Sequence, residues 1–184
     1  MESTETGTRQ IGREVAIPAV GLGTLRRQLQ REAGPLATIH ALHAAGYEAG
    51  EALWKSLSKA AGRTLQKLDE ETFWERLASL LGRRGWGTVG HHGAHPGVGL
   101  LTSRDWAEAV GGGDEKQPSC TFSTGMLSGL LTGAAGGPVA VLEVTCRTRG
   151  DERCTFAFGS AAAVHDLYGL LLDGRTLESA LSSL

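Results

Sequence analysis

Apolar positions recur at helical spacing through the first part of the chain. Leu36, Ile39, His43, Tyr47, Gly50, Leu53/Trp54 and Leu57 trace one face of a helix from Pro35 to Ala61, in the three- and four-residue steps of an amphipathic element. Ala44, Gly46 and Gly50 leave room along it for another element to come close. Pro18 opens a shorter helix that runs to Ala33, where Gly34-Pro35 ends it and starts the long one. Gly62 ends the long helix. Asp69 then caps a third, with Phe73, Leu77 and Leu80/Leu81 facing inward and Gly82 closing it.

The pattern changes after Gly85. Two short extended runs, Trp86–Val89 and Val98–Thr102, predict a β-hairpin joined by a His91–Gly97 loop. Trp106 falls near a strand end, and 111–118 reads as a loop. Pro118-Ser119 starts a helix to about Leu131, with Phe122, Met126/Leu127 and Leu130 as its apolar set; Gly125 and Gly129 predict tight packing against a neighbour. Val139–Cys146 and Cys154–Phe158 read as strands joined through Arg149-Gly150-Asp151. Ser160 caps a helix to Leu172, and Thr176 caps a short terminal one. The class predicted is α+β: N-terminal helices packed with a small antiparallel sheet and C-terminal helices. A disordered tail is expected over 1–10 and a single domain over 11–184, its helical part at 17–82 and its sheet part at 85–184.

Composition narrows the classes. The chain has 184 residues, 41% hydrophobic and 21% charged, as in an ordinary globular domain. A net charge of −2 gives no electrostatic case for nucleic acid or an anionic membrane. No apolar run approaches the ~18–20 residues that span a bilayer, and the polar first residues lack the character of a signal peptide. A cytoplasmic location is expected, where thiols stay reduced.

That setting gives the cysteines their meaning. Cys120, Cys146 and Cys154 are the only three, and with Glu143 they form C-x(22)-E-x(2)-C-x(7)-C. An odd number of thiols in a reducing compartment favours a metal site or free thiols over disulfides. Three thiolates and a carboxylate complete the four-coordinate shell of structural zinc; three unligated buried thiols are the other reading. Residues three apart point to opposite faces of a regular strand, so a site on Glu143 and Cys146 requires the strand to end or bulge near Thr145. Arg147, Arg149 and Arg153 stand nearby to offset the negative charge.

The segments Cys120-Thr-Phe-Ser-Thr-Gly125-Met-Leu-Ser-Gly129, Val139-Ala-Val-Leu-Glu143-Val-Thr-Cys146 and Gly150-Asp-Glu-Arg-Cys154-Thr-Phe156 resemble the signature of the 4-vinyl reductase domain family in order and spacing. The motifs lie in about the last 70 residues. The resemblance implies the fold of the small TRAPP vesicle-tethering subunits, with a hydrophobic cavity and dimerisation through helices. It also implies a structural zinc on Cys120, Glu143, Cys146 and Cys154, as in the sensor domain of phenol-responsive transcription activators. Those activators carry an ATPase and a DNA-binding domain. This chain shows no phosphate-loop motif, so a standalone domain is expected.

Tyr47, Trp54, Phe73, Trp74, Trp86 and Trp106 are candidates to line a pocket for an aromatic or lipid-like ligand, although aromatics at such spacing also build cores. His91, His92 and His95 read as a plain loop, a pocket mouth or a second metal site. No nucleophile–base pair or pair of catalytic acids stands out, and a zinc closed by four protein ligands leaves no position for water. The expected function is a zinc-bearing, homodimeric module for a small hydrophobic or aromatic ligand, binding neither nucleic acid nor membrane. The alternatives are an enzyme or accessory factor of tetrapyrrole metabolism, and a TRAPP-like protein-interaction scaffold.

Overall fold

The computed structural model describes residues 14–61, 68–109 and 115–184. The expected tail and the helix end at Gly62 lie outside them. The helices are α1 (Val20–Ala33), α2 (Pro35–Ala61), α3 (Glu70–Arg83), α4 (Thr121–Ala135), α5 (Ala161–Leu172) and α6 (Leu177–Leu181). The strands are β1 (Gly90–His95), β2 (Val98–Ser103), β3 (Ala140–Thr145) and β4 (Cys154–Gly159), in one antiparallel sheet of order β1-β2-β4-β3. This is the α+β architecture that the periodicity predicts.

Local chemistry sets the helix ends. Asp69, Ser160 and Thr176 each accept a backbone N–H from the first turn of the helix they precede, which satisfies donors that have no partner within the helix. Gly82 does not close α3. The helix runs on to Arg83, and the left-handed turn falls at Gly85 (φ 79°).

The sheet divides the protein into layers. Leu101, Phe156, Phe158 and Val141 face α3 and α4, whereas Val98, Leu100, Ala157 and Val144 pack with Leu167, Ala180 and Leu181 of α5 and α6. Helix α4 sits between the sheet and α2, and Met126, Leu127, Leu130 and Leu131 are all buried there. Its other side is a glycine seam. A β-carbon on Gly46 or Gly50 of α2 would strike the Phe122 or Met126 carbonyl, and one on Gly125 or Gly129 of α4 would strike the His43 or Tyr47 carbonyl. The two backbones touch because neither helix carries a side chain on that line.

The main departure from expectation is the first hairpin. His91–His95 lies in strand β1, with Pro96-Gly97 as the turn, and Trp86–Val89 is irregular. The glycine and histidine content argued for a loop. An edge strand is paired on one side only and tolerates residues of low strand propensity. The Trp86–Val89 segment is held by other partners. The Thr88 N–H donates to Asp105 Oδ1 at 2.7 Å, and Trp86 stacks on Trp106 with ring centroids 5.6 Å apart.

Candidate functional site

One end of the sheet gathers the cysteines. Cys120 is the N-cap of α4, Glu143 and Cys146 flank the end of β3, and Cys154 opens β4. The pairing of β3 with β4 shifts register between Glu143 and Thr145. This is the bulge that the three-residue spacing demands. Val144 packs on the α5 side, the Thr145 hydroxyl bonds to Thr155 at 2.8 Å, and Cys146 comes back to the face of Glu143 and Cys154.

The donor atoms converge. One ligand atom from each of the four residues lies within 4.8 Å of the others, and all four residues are buried. Cys120 Sγ stands 3.6 Å from Cys146 Sγ and 4.0 Å from Cys154 Sγ, well beyond the ~2.05 Å of a disulfide. Glu143 Oε2 accepts the Cys120 N–H at 2.8 Å, while Oε1 is buried with no hydrogen-bond partner. A buried carboxylate oxygen without a partner is costly, and a cation held with the three sulfurs would satisfy it. The cluster is a site that could hold a metal ion.

The electrostatics agree. Burial, and then the charge on Cys146, push the Glu143 carboxyl up. Hydrogen bonds to Cys146 and Cys154 raise the Cys120 thiol, and Cys146 is held down by hydrogen bonds from Cys120 and Cys154. The bond to Cys120 lowers Cys154, but the bond to Cys146 and burial outweigh it and push that thiol up to about 12. Four acids this close cannot all ionise without a cation, so binding one displaces protons. The arginines expected to neutralise the site do not do so. Arg149 pairs with Asp151 at 2.7 Å and Arg153 with Glu152 at 3.3 Å. The sulfurs instead meet the Thr148 hydroxyl, 2.9 Å from Cys146 Sγ, and the Arg147 N–H, 3.5 Å from Cys154 Sγ.

Sequence reasoning missed Glu108. It lies in a short 3-10 turn (Ala107–Ala109) and is 7% exposed. It accepts the Phe122 N–H at 3.0 Å and the Ser123 N–H at 2.7 Å, capping the helix that carries Cys120. The Ser123 hydroxyl also donates to it, and in turn accepts from Trp106 Nε1 at 2.7 Å. Burial outweighs these bonds and pushes the Glu108 carboxyl up to about 7. Glu108 is fourteen residues from Phe122 along the chain, and no local motif marks the contact.

The predicted pocket aromatics separate into three groups. Trp86 and Trp106 stack together, with Phe122 5.9 Å from Trp86, and Trp106 is 1% exposed. Tyr47 and Trp54 lie along α2 against α4, where the Trp54 ring covers Gly133. Phe73 packs edge-on to Trp74 at 4.9 Å. The space bounded by Val89, Leu101, Trp106, Leu127 and Phe156 is too small for a water molecule, so the interior here is filled.

The open space lies elsewhere, between α3 and the β1–β2 hairpin. This groove of about 560 Å³ has Leu77, Val89 and Leu101 as its floor. One wall is Trp74 with His91 stacked on it, 3.9 Å apart and 11° from parallel, and Phe158 stands 5.3 Å from Trp74. Glu70, Glu71 and Glu75 form the rim. Of the three histidines, His91 joins the groove, His92 reaches the Thr102 hydroxyl at 3.4 Å, and none belongs to a metal-ligating cluster among the described residues.

Fold and site together define a four-stranded antiparallel domain flanked by helices, tied at one end by a buried three-cysteine, one-glutamate cluster. The chain carries a 4-vinyl reductase domain: the family model matches residues 103–160, a span that includes all four cluster residues. No curated protein matches it. Solved structures share its fold. The phenol-responsive sensory domain of the transcription activator PoxR, crystallised with phenol, aligns at TM-score 0.66 and 19% identity over 80% of this chain and 76% of that one. A vinyl-4-reductase family protein from Methanocaldococcus jannaschii gives 0.50 and 17% over 80% and 82%. A trafficking protein particle complex subunit 3 from Naegleria fowleri, covalently bound to palmitic acid, gives 0.60 and 14% over 77% and 91%. At these identities the likeness is one of fold, and it is the TRAPP-subunit-like fold expected.

Proposed function

We propose that this protein is a small-molecule-binding module of the sensor type, with a zinc ion on Cys120, Glu143, Cys146 and Cys154 holding its sheet to α4. The observation that carries the reading is the buried cluster with its partnerless Glu143 Oε1. A tetrahedral ion with bonds of ~2.3 Å to sulfur separates its thiolates by about 3.8 Å, and the distances of 3.6 and 4.0 Å fit that spacing. Four protein ligands fill the shell, so the metal is structural. The PoxR domain, of the same fold, is phenol-responsive, which supports a small aromatic or hydrophobic ligand here. Cytoplasmic location, a homodimer and the absence of nucleic-acid binding belong to the same reading. Among the described residues no helix is long and apolar enough to cross a membrane.

Native mass spectrometry of protein purified without added metal tests it. One zinc per chain is expected, with a small molecule retained in part of the population. Normal folding of metal-free Cys120→Ser would overturn the structural zinc.

One observation favours a second reading, a protein-interaction scaffold. The interior beside Trp106 is filled, while Val20, Leu25, Leu36 and Ile39 of α1 and α2 are 59%, 49%, 66% and 48% exposed. Light scattering on Leu36→Glu/Ile39→Glu separates the cases. A dimer that becomes a monomer and still binds ligand is the sensor; one that binds no small molecule before or after is the scaffold.

A further inference from the structure

The groove between α3 and the β1–β2 hairpin is apolar in its floor and acidic at its rim. Leu77, Val89 and Leu101 offer a surface for a hydrocarbon or an aromatic ring, and Trp74 adds an aromatic wall. A volume of about 560 Å³ lies within the range of sites for small organic ligands, roughly 300–1,000 Å³. Its charge has one sign: Glu70, Glu71 and Glu75 line it, and no lysine or arginine does. Elsewhere on the protein Glu14 is paired with Arg84, Glu51 with Lys55, Glu115 with Arg26 and Glu152 with Arg104. None of the three rim carboxylates is in an ion pair among the described residues. Glu70 and Glu71 also sit in the first turn of α3, where negative charge favours the helix. Glu75 lies beyond that turn and has no such role.

We propose that this groove binds a small apolar cation, an aryl- or alkylammonium ion, with its hydrocarbon on the Leu77–Val89–Leu101 floor and its ammonium among the rim carboxylates. The proposal rests on the ligand-binding reading above and gives it a place and a sign of charge. The same rim repels phenolates and fatty-acid anions. His91 is compatible with a cationic guest: burial, first among the causes, lowers its pKa, and a neutral imidazole offers a lone pair to an ammonium N–H. Phe158 and Gly99 set the depth of the inner wall, since the Phe158 ring lies over Gly99, where a β-carbon would collide with it.

Calorimetric titration of the purified full chain with 2-phenylethylamine, 2-phenylethanol and phenylacetate tests the sign of charge at nearly constant shape. The amine is expected to bind about tenfold more tightly than the alcohol, since each solvent-exposed carboxylate adds only a modest attraction. The carboxylate should bind most weakly. In Glu70→Gln/Glu71→Gln/Glu75→Gln the amine should fall to the level of the alcohol, and added salt should narrow the gap in the unmutated protein. Equal affinity for amine and alcohol, an amine affinity unchanged by the triple substitution, or no binding of any of the three overturns the proposal. Alcohol binding that Trp74→Leu abolishes, with no preference for the amine, refutes the cation site but leaves the ligand-binding module standing. A metal-loaded protein that retains no small molecule and binds none refutes both.

Discussion

Strand β4 runs between two sites of opposite character. Cys154, Phe156 and Phe158 share one face. Cys154 is a buried member of the metal cluster, Phe156 is 1% exposed against Trp106, and Phe158 stands beside Trp74 at the groove. At the cysteine end the donors point inward, and four of them enclose one point. At the groove end the carboxylates point to solvent around an apolar floor. The first arrangement has no position for a guest and can act only on the fold. The second contributes little to the fold and is free to serve recognition.

The largest expected effect breaks the closed end. Cys154→Ser removes a ligand from a buried site, and the lost metal should cost more than about 5 kcal/mol, because metal binding and folding are coupled. Metal analysis should give no zinc, and thermal melting should show a protein unfolded or nearly so. Glu75→Gln, at the open end, should change stability by less than about 0.5 kcal/mol. Comparable losses from the two substitutions would erase the distinction between the ends.

Next is Glu108, which caps the helix behind the metal. Its folded pKa of about 7 lies above the ordinary value of 4.5, through burial. The folded state therefore holds the proton more tightly than the unfolded state does. The stability this group contributes is complete below pH ~4.5 and is lost as pH rises to ~7, an amount of roughly 3 kcal/mol. Glu108→Gln should remove that slope. Urea unfolding of both proteins at pH 5 and pH 7 measures it, and the difference between the two proteins cancels the metal's own pH dependence. A slope that survives the substitution belongs to other groups.

The glycine seam follows. Gly46→Ala and Gly125→Ala each set a β-carbon against a backbone carbonyl that cannot swing aside, and forcing α2 and α4 apart should cost about 2 kcal/mol. Gly21→Ala in α1 meets nothing within 4 Å and should stabilise by about 0.5–1 kcal/mol through helix propensity. Chemical denaturation reads both directions. A Gly125→Ala protein as stable as the parent would mean that the helices do not touch along this line.

What could be read in advance follows from how local each signal is. The bounds of α2, the caps at Asp69, Ser160 and Thr176, and the antiparallel pairing of β3 with β4 rest on neighbours along the chain. The cysteine cluster joins distant residues, yet it was legible because metal chemistry restricts the donors to few residue types. The same chemistry, with the three-residue spacing, required the bulge at Val144. Glu108 has no such restriction, since any buried acceptor could cap α4 and only the tertiary path brings this one there. The groove was hidden for the same reason: its walls come from α3 and a hairpin whose first strand has the composition of a loop.

The smallest stability effect is the sharpest probe of the groove. A β-carbon at Gly99 would fall on the far edge of the Phe158 ring, a group that can rotate rather than a fixed backbone atom. Gly99→Ala should cost less than about 1 kcal/mol, yet turn Phe158 away from its position 5.3 Å from Trp74 and 6.0 Å from His91. Gly93 faces Gly99 across the β1–β2 pair and has nothing within 4 Å of its β-carbon position, so Gly93→Ala is the matched control. Near-ultraviolet circular dichroism should change in Gly99→Ala alone, and its 2-phenylethylamine affinity should shift severalfold while metal content stays at one per chain. If the two variants bind alike, Phe158 is not part of the wall, and β4 contributes to the metal end without shaping the groove.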